Sequence, residues 1–206
     1  MYVKQVEVSR ATIGRIPIYL EYLKNAKHCA ENISATTLAK ELGLGEVQVR
    51  KDLGSVSGAG RPKTGYKISE LIDALENFLG IGKNSNVVIV GAGKLGRALL
   101  DYGGFESYGL QILAAFDIAA DNAGKSTMGK PIFPMDKFLD FCSSNCVKIG
   151  IITVPAQSAQ EVCDLFVKGG IKAVWCFAPC TLSVPDGVIV QYENMALSLA
   201  YLNKRI

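Results

Sequence analysis

The chain has 206 residues, 49% of them apolar, enough to bury one or two ordinary cores. It contains no run of about 18 apolar residues, and the charged opening Met1–Glu7 lacks the apolar stretch of a signal peptide, which argues against a membrane or exported protein and for a soluble, cytoplasmic one. The net charge is only +3, but residues 1–67 hold 11 Lys/Arg against 6 Asp/Glu while residues 68–206 hold 11 against 13. A basic amino-terminal third suggests a polyanionic partner there, although a solvated basic face has the same composition.

From Ser9 to Ala26, Ile13, Ile16, Tyr19, Leu20 and Leu23 recur at helical spacing, and Pro17 is close enough to the start to fall in an early turn. Ser34 offers an N-cap to a short helix over 36–42 that Gly43 stops, and a third helix spans 46–53 after Gly45. Two short helices joined by a glycine-containing turn are a helix-turn-helix arrangement. Residues 54–66 are too rich in glycine for a stable helix and fit the tip of a β-hairpin wing. Ser69 is expected to cap a helix over 70–79, and Gly80-Ile-Gly82 then marks a domain boundary.

Beyond the boundary, apolar runs alternate with helical stretches. Strands are predicted at 87–90, 110–116, 132–133, 147–153, 173–175 and 188–190, with helices at 94–103, 136–141 and 156–168 and a last helix over 194–203. Continuous apolar strands separated by helices imply a parallel sheet covered on both faces.

The loop Gly91-Ala92-Gly93-Lys94-Leu95-Gly96 follows an apolar strand and opens a helix, the context in which GxGxxG binds a dinucleotide pyrophosphate. Gly91 allows the turn, Gly93 leaves room for the phosphates, and Gly96 lets helix and sheet pack closely, with the helix N-terminus facing the phosphate charge. Asp117 ends the second strand, 21 residues beyond Gly96, where its carboxylate can accept from both adenine-ribose hydroxyls. It repels a 2′-phosphate, which favours NAD(H) over NADP. Thr153-Val154-Pro155 and Phe177-Ala178-Pro179 end later strands at the same carboxyl edge and are expected to shape the nicotinamide side.

No catalytic constellation accompanies this site. The sole histidine, His28, lies outside the nucleotide domain, Lys94 sits in the phosphate loop, and Tyr102 ends the helix that follows it. The six cysteines contain no CxxC; Cys142/Cys146 and Cys176/Cys180 are four apart, and small buried hydrophobes are a simpler reading than metal ligands or disulfides. In the helix-turn-helix, Gln48, Arg50 and Lys51 are the candidates to read base edges, with Val47 or Val49 turned to the core. Arg61 and Lys63 on the wing and Arg10 and Arg15 on the first helix are candidates for the DNA backbone.

Several stretches in order resemble the Rex family of redox-sensing transcriptional repressors. They are Arg15-Ile-Pro-Ile-Tyr-Leu-Glu-Tyr-Leu23, Gln48-Val-Arg-Lys-Asp-Leu53, Gly65-Tyr66, Val90-Gly-Ala-Gly-Lys-Leu-Gly-Arg-Ala98, Asp101-Tyr-Gly-Gly-Phe105, Phe116-Asp117, Val154-Pro-Ala156 and Phe177-Ala-Pro179. The resemblance covers nearly the whole chain. It implies a winged-helix domain over 1–81, a Rossmann NAD(H)-binding domain over 82–192 that includes Tyr102 in its site, and a helix over 193–206 exchanged between subunits of a homodimer. It further implies binding of double-stranded operator DNA and release when NADH binds. Three positions depart from the family: Ala196 replaces a usual aspartate, Cys176 a usual asparagine, and Ser55–Gly60 an aromatic, acidic wing. The alternatives are an NAD-dependent oxidoreductase with a helical accessory domain, which the missing acid/base opposes, and a nucleotide-dependent module that binds protein.

Overall fold

The computed structural model describes residues 8–26, 30–62, 64–81, 85–119 and 124–204, and the chain divides into two compact units, Met1–Gly82 and Lys83–Ile206. His28, Lys63 and the side chain of Arg10 lie outside what is described.

In the first unit, α1 (Arg10–Ala26) buries Ile16, Tyr19, Leu20 and Leu23 along one stripe. Pro17 stands further inside α1 than an early turn; burial of its neighbours on this stripe outweighs the amide it lacks. Ser34 Oγ accepts from Thr37 N at 3.0 Å to start α2 (Ala35–Leu42), and Gly43 ends it in the left-handed region. The next helix, α3, runs Glu46–Ser57, four residues past the predicted end at Leu53. Gly54 is tolerated because Val56 packs on the core, while the Ser55 and Ser57 hydroxyls donate to the Asp52 and Leu53 carbonyls at 2.7 and 2.9 Å.

The wing is therefore shorter than the glycine content suggests. Arg61 and Gly65 form one antiparallel bridge, with reciprocal N–H to O bonds of 2.8 and 2.9 Å. Behind it β1 (Asn32–Ile33), too short to read from sequence, pairs antiparallel with β2 (Tyr66–Lys67). Gly65 (φ +77°) has no substitute, since a Cβ would stand 2.3 Å from the Ile33 carbonyl oxygen. The following α4 (Ile68–Leu79) starts before Ser69, which is not its cap. Ile68 is buried and its N–H donates to the Glu31 carbonyl at 2.9 Å, so strand pairing and burial begin the helix instead. The buried stripes of α1, α2, α3 and α4 share one core.

The second unit is built on one mixed sheet. From β3 (Ser85–Val90) the chain passes through α5 (Lys94–Asp101) and a 3₁₀ segment, Gly103–Tyr108, to β4 (Leu110–Asp117). The edge strand β5 (Gly124–Lys125) is antiparallel to β6 (Pro131–Pro134); α6 (Phe138–Ser144), β7 (Ile149–Ile152), α7 (Ala156–Lys168), β8 (Ala173–Cys176), β9 (Ile189–Tyr192) and α8 (Met195–Asn203) follow. The strands lie in the order β5-β6-β4-β3-β7-β8-β9, and all the other pairings are parallel. The order in which strands are added reverses between β3 and β7, the switch point of a Rossmann sheet, where a crevice opens at the carboxyl ends of the strands. Val88 and Val90 face one apolar layer with Phe116, Phe138 and Phe166, and Val87 and Ile89 face the other with Leu100 and Ile112. Burial on both faces is why these strands lack polar alternation.

Candidate functional site

β3 delivers the chain to the crevice, where Gly91 (φ +104°) turns with its N–H on the Phe116 carbonyl at 2.8 Å. Thr153, at the end of β7, donates from Oγ1 to the Gly91 carbonyl at 2.7 Å. A Cβ on Gly96 would stand 1.8 Å from that same carbonyl oxygen, whereas one on Gly93 would meet nothing within 4 Å. The loop is thus closed against the protein at Gly96 and open to the crevice at Gly93. Ala92 is buried and contributes backbone: its N–H donates to Asp117 Oδ2 at 2.6 Å and its carbonyl accepts from Arg97 Nε at 2.9 Å. The other Asp117 oxygen accepts from Ala119 N at 2.8 Å, so the carboxylate is aimed by two backbone amides.

A cleft of about 460 Å³ results. Of the predicted residues it is lined by Gly91, Gly93, Asp117, Thr153, Val154 and Pro155, joined by Ile118, Met135, Ser158, Glu161, Val162 and Leu165. Of these, Ile118, Met135, Val162 and Leu165 form an apolar flank suited to a planar base. One sequence signal existed: Ile118, an apolar residue directly after the acidic strand end, is 89% exposed.

The remaining predicted cofactor residues are not in this cleft. Phe177, Ala178 and Pro179 line a second hollow of about 560 Å³ with Tyr192, Met195 and Ala196. Lys94 is exposed and Leu95 half-buried in the first turn of α5. Tyr102 is exposed beyond the end of α5, edge-on to Phe105 with ring centres 5.1 Å apart. Cys176 turns into the core. Burial pushes its thiol and that of Cys163 up and carries Cys142 to about 11, the state of structural rather than reactive thiols. Among the described residues no group of His, Cys, Asp or Glu could hold a metal ion.

On α3 of the first unit, Val49 is the valine that enters the core and Val47 the one that faces out, 66% exposed. Gln48, Arg50 and Lys51 are exposed beside it. Arg50 pairs with Glu46 one turn back, and Arg61 projects from the wing, 4.0 Å from Glu70.

Arg15 departs from the expected backbone-contacting role. Its guanidinium grips Asp52 through Nε (2.7 Å) and Nη2 (2.9 Å), with only 19% of its side chain exposed. Asp52 also accepts from Thr12 Oγ1 at 2.9 Å and Tyr19 OH at 2.7 Å. Burial disfavours the Asp52 charge, but these bonds outweigh it and hold the carboxyl below its usual range. Burial and the bond to Asp52 raise the Tyr19 phenol to about 12. Asp52, an acid amid basic neighbours, is a residue whose place in this cluster its own local sequence does not reveal. Thr12, Arg15 and Tyr19, at helical spacing on α1, were the available sign that a buried anion sits opposite.

A helix-turn-helix with an outward polar helix, carried by the same chain as a dinucleotide-type crevice, defines the class of nucleotide-linked transcription regulators. A family model described as "CoA binding domain" matches residues 82–180, and one described as "Putative DNA-binding protein N-terminus" matches 7–54. The redox-sensing transcriptional repressor Rex of Treponema denticola is 42% identical over 97% of this chain and 95% of its own length. That of Bacteroides thetaiotaomicron is 38% identical over 97% and 91%. The crystal structure of the Rex-family repressor RSP with β-NAD+ and operator DNA superposes with a TM-score of 0.90 at 36% identity, covering 96% of this chain and 92% of that one. RSP with β-NADH gives 0.84 at 34% identity, over 97% and 94%. The chain belongs to the Rex family of redox-sensing transcriptional repressors. Its relatives are named as repressors, not enzymes, and no helix among the described residues is long and apolar enough to cross a membrane.

Proposed function

We propose that this protein is a cytoplasmic, homodimeric repressor that holds operator DNA through its winged helix and releases it when NADH enters the cleft at Gly91–Gly96. The observation that carries the reading is the pairing of opposite glycine environments with Asp117: space for a pyrophosphate at Gly93, a ribose acceptor at the strand end. Gly91, Ala92, Gly93, Lys94, Leu95 and Gly96 cradle the pyrophosphate. Thr153, Val154 and Pro155 lead towards the nicotinamide, and Phe177, Ala178, Pro179 and Tyr102 serve that end. Asp117 repels both the 2′-phosphate of NADP and the 3′-phosphate of coenzyme A, which shares the adenosine pyrophosphate portion.

Arg50, Lys51 and Arg61 are the exposed cations for DNA, with Arg10 and Lys63 assigned to phosphates from sequence alone. The helix α8 carries exposed Met195, Leu197, Leu199, Tyr201 and Leu202, a surface suited to exchange with a second copy. Ala196 removes the carboxylate that the family resemblance leads one to expect beside this hollow, leaving aromatic and apolar contacts to relay the ligand.

The test is operator binding with NADH, NAD+, NADPH and coenzyme A titrated separately. NADH is expected to weaken binding most, and Asp117→Ser to narrow the gap between NADH and NADPH. Unchanged operator affinity at saturating NADH refutes the proposal.

A further inference from the structure

We infer that Gln48 reads a hydrogen-bond acceptor on a base edge, guanine O6/N7 best and thymine O4 next, because Arg15 occupies its amide oxygen; this rests on the repressor reading above. A glutamine free on a recognition helix pairs bidentately with adenine, its oxygen taking the N6 proton and its nitrogen donating to N7. Gln48 does not have that freedom. In the amide orientation that satisfies both groups, its Oε1 lies against the guanidinium, 2.8 Å from Arg15 Nη1 and 3.1 Å from Nε and Nη2; Nη1 is the donor left for it, since the Nε proton goes to Asp52.

Arg15 is fixed from behind. Asp52 holds its Nε and Nη2 and is itself 5% exposed, with Thr12 and Tyr19 on the same carboxylate. The guanidinium position is therefore set by the packing of α1 on α3, whether or not DNA is present. Rotating the Gln48 amide to aim its oxygen outward would set its NH₂ against the guanidinium, donor to donor. What Gln48 presents outward is the NH₂ group, two donors and no acceptor. Guanine offers two adjacent acceptors in the major groove and thymine one. Adenine N7 comes beside the N6 donor, and cytosine shows only a donor. Arg15 is thus a positioning residue that turns a glutamine from an adenine reader into a donor-only reader.

The experiment selects duplexes from a randomised library with the full-length protein, then measures affinity for all four base pairs at every position. Gln48→Ala, Gln48→Lys and Gln48→Glu alter an exposed side chain and leave the core intact. Wild type is expected to prefer guanine or thymine at one position of each half-site, by about tenfold over adenine and cytosine. Gln48→Lys, also donor-only, keeps the preference, Gln48→Ala flattens it, and Gln48→Glu, tied to Arg15 with no donor, loses it and admits cytosine. Arg15→Met with Asp52→Asn, which frees the amide and still leaves Thr12 and Tyr19 an acceptor, is expected to admit adenine at that position alone.

Wild-type preference for adenine there, or a preference that Gln48→Glu keeps and Gln48→Lys loses, overturns the inference. Specific binding whose base preferences ignore Gln48→Ala overturns it and leaves the repressor reading standing; absence of sequence-specific duplex binding overturns both.

Discussion

Gly93 and Gly96 stand three positions apart in one loop and are glycine for opposite reasons. A methyl group at Gly96 collides with the Gly91 carbonyl, while one at Gly93 projects into the crevice. Gly96→Ala is therefore expected to lower the melting temperature of the protein and abolish NADH binding together. Gly93→Ala is expected to leave melting unchanged and still weaken NADH binding by at least about tenfold, through lost room for the pyrophosphate; calorimetry and nucleotide titration separate the two. Asp52 supports a second residue-scale prediction. Removing one partner of a buried ion pair costs roughly 3–5 kcal/mol, and Asp52→Ala also strands Tyr19 and Thr12, so chemical denaturation should show the first unit weakened by about that amount. The pH dependence follows from the shifts. Asp52 is depressed in the fold, so its contribution is present above the unfolded carboxyl value and fades as pH falls through the folded one. Tyr19 is raised from 10.0 to about 12, so its contribution is intact below pH 10 and is lost as pH rises between those values. A Tyr19→Phe variant should lack the alkaline loss.

At the scale of elements, two helices depart from what local sequence favours. α3 continues through Gly54 because Val56 finds the core and two serine hydroxyls tie down the last turn. That extension shortens the wing to the Arg61–Gly65 bridge. α8 is the reverse case: a regular helix, capped by Asn194 bonding Leu197 N at 2.9 Å, whose apolar side chains stay exposed. A helix apolar on all sides needs burial that its own unit does not supply. Leu199→Glu combined with Leu202→Glu is expected to shift the protein from dimer to monomer in analytical ultracentrifugation at micromolar concentration, with the Rossmann unit still folded. A dimer that survives both substitutions would remove α8 from the interface.

For the whole molecule, a repressor released by NADH must obey linkage. If NADH weakens operator binding by some factor, the operator must weaken NADH binding by the same factor. Titrating NADH into the free protein and into the protein–operator complex should give dissociation constants in that ratio, with a smaller ratio for NAD+. Equal NADH constants in the two titrations would mean that the sites share a chain without sharing energy. DNA affinity should also fall steeply with salt, since Arg50, Lys51 and Arg61 offer exposed positive charge to phosphates.

Local rules sufficed wherever a residue's task is set by its neighbours in the chain. Apolar runs, the caps at Ser34 and Gly43 and the GxGxxG glycines were legible because strand burial, helix ends and tight turns each impose a short-range pattern. β1, with two residues, has no pattern to read, and Gly54 carries the wrong propensity for the helix it occupies. The cleft was half legible: Asp117 and Pro155 at strand ends follow from fold geometry, but Ile118, Met135 and Leu165 meet only when the ends of β4 and β6 converge with α7. Arg15 shows the boundary most sharply. That position 15 carries a cation is written in the chain. That this charge faces inward is a consequence of packing, because the carboxylate that captures it, Asp52, lies 37 residues away and comes within 2.7 Å only when α1 packs on α3.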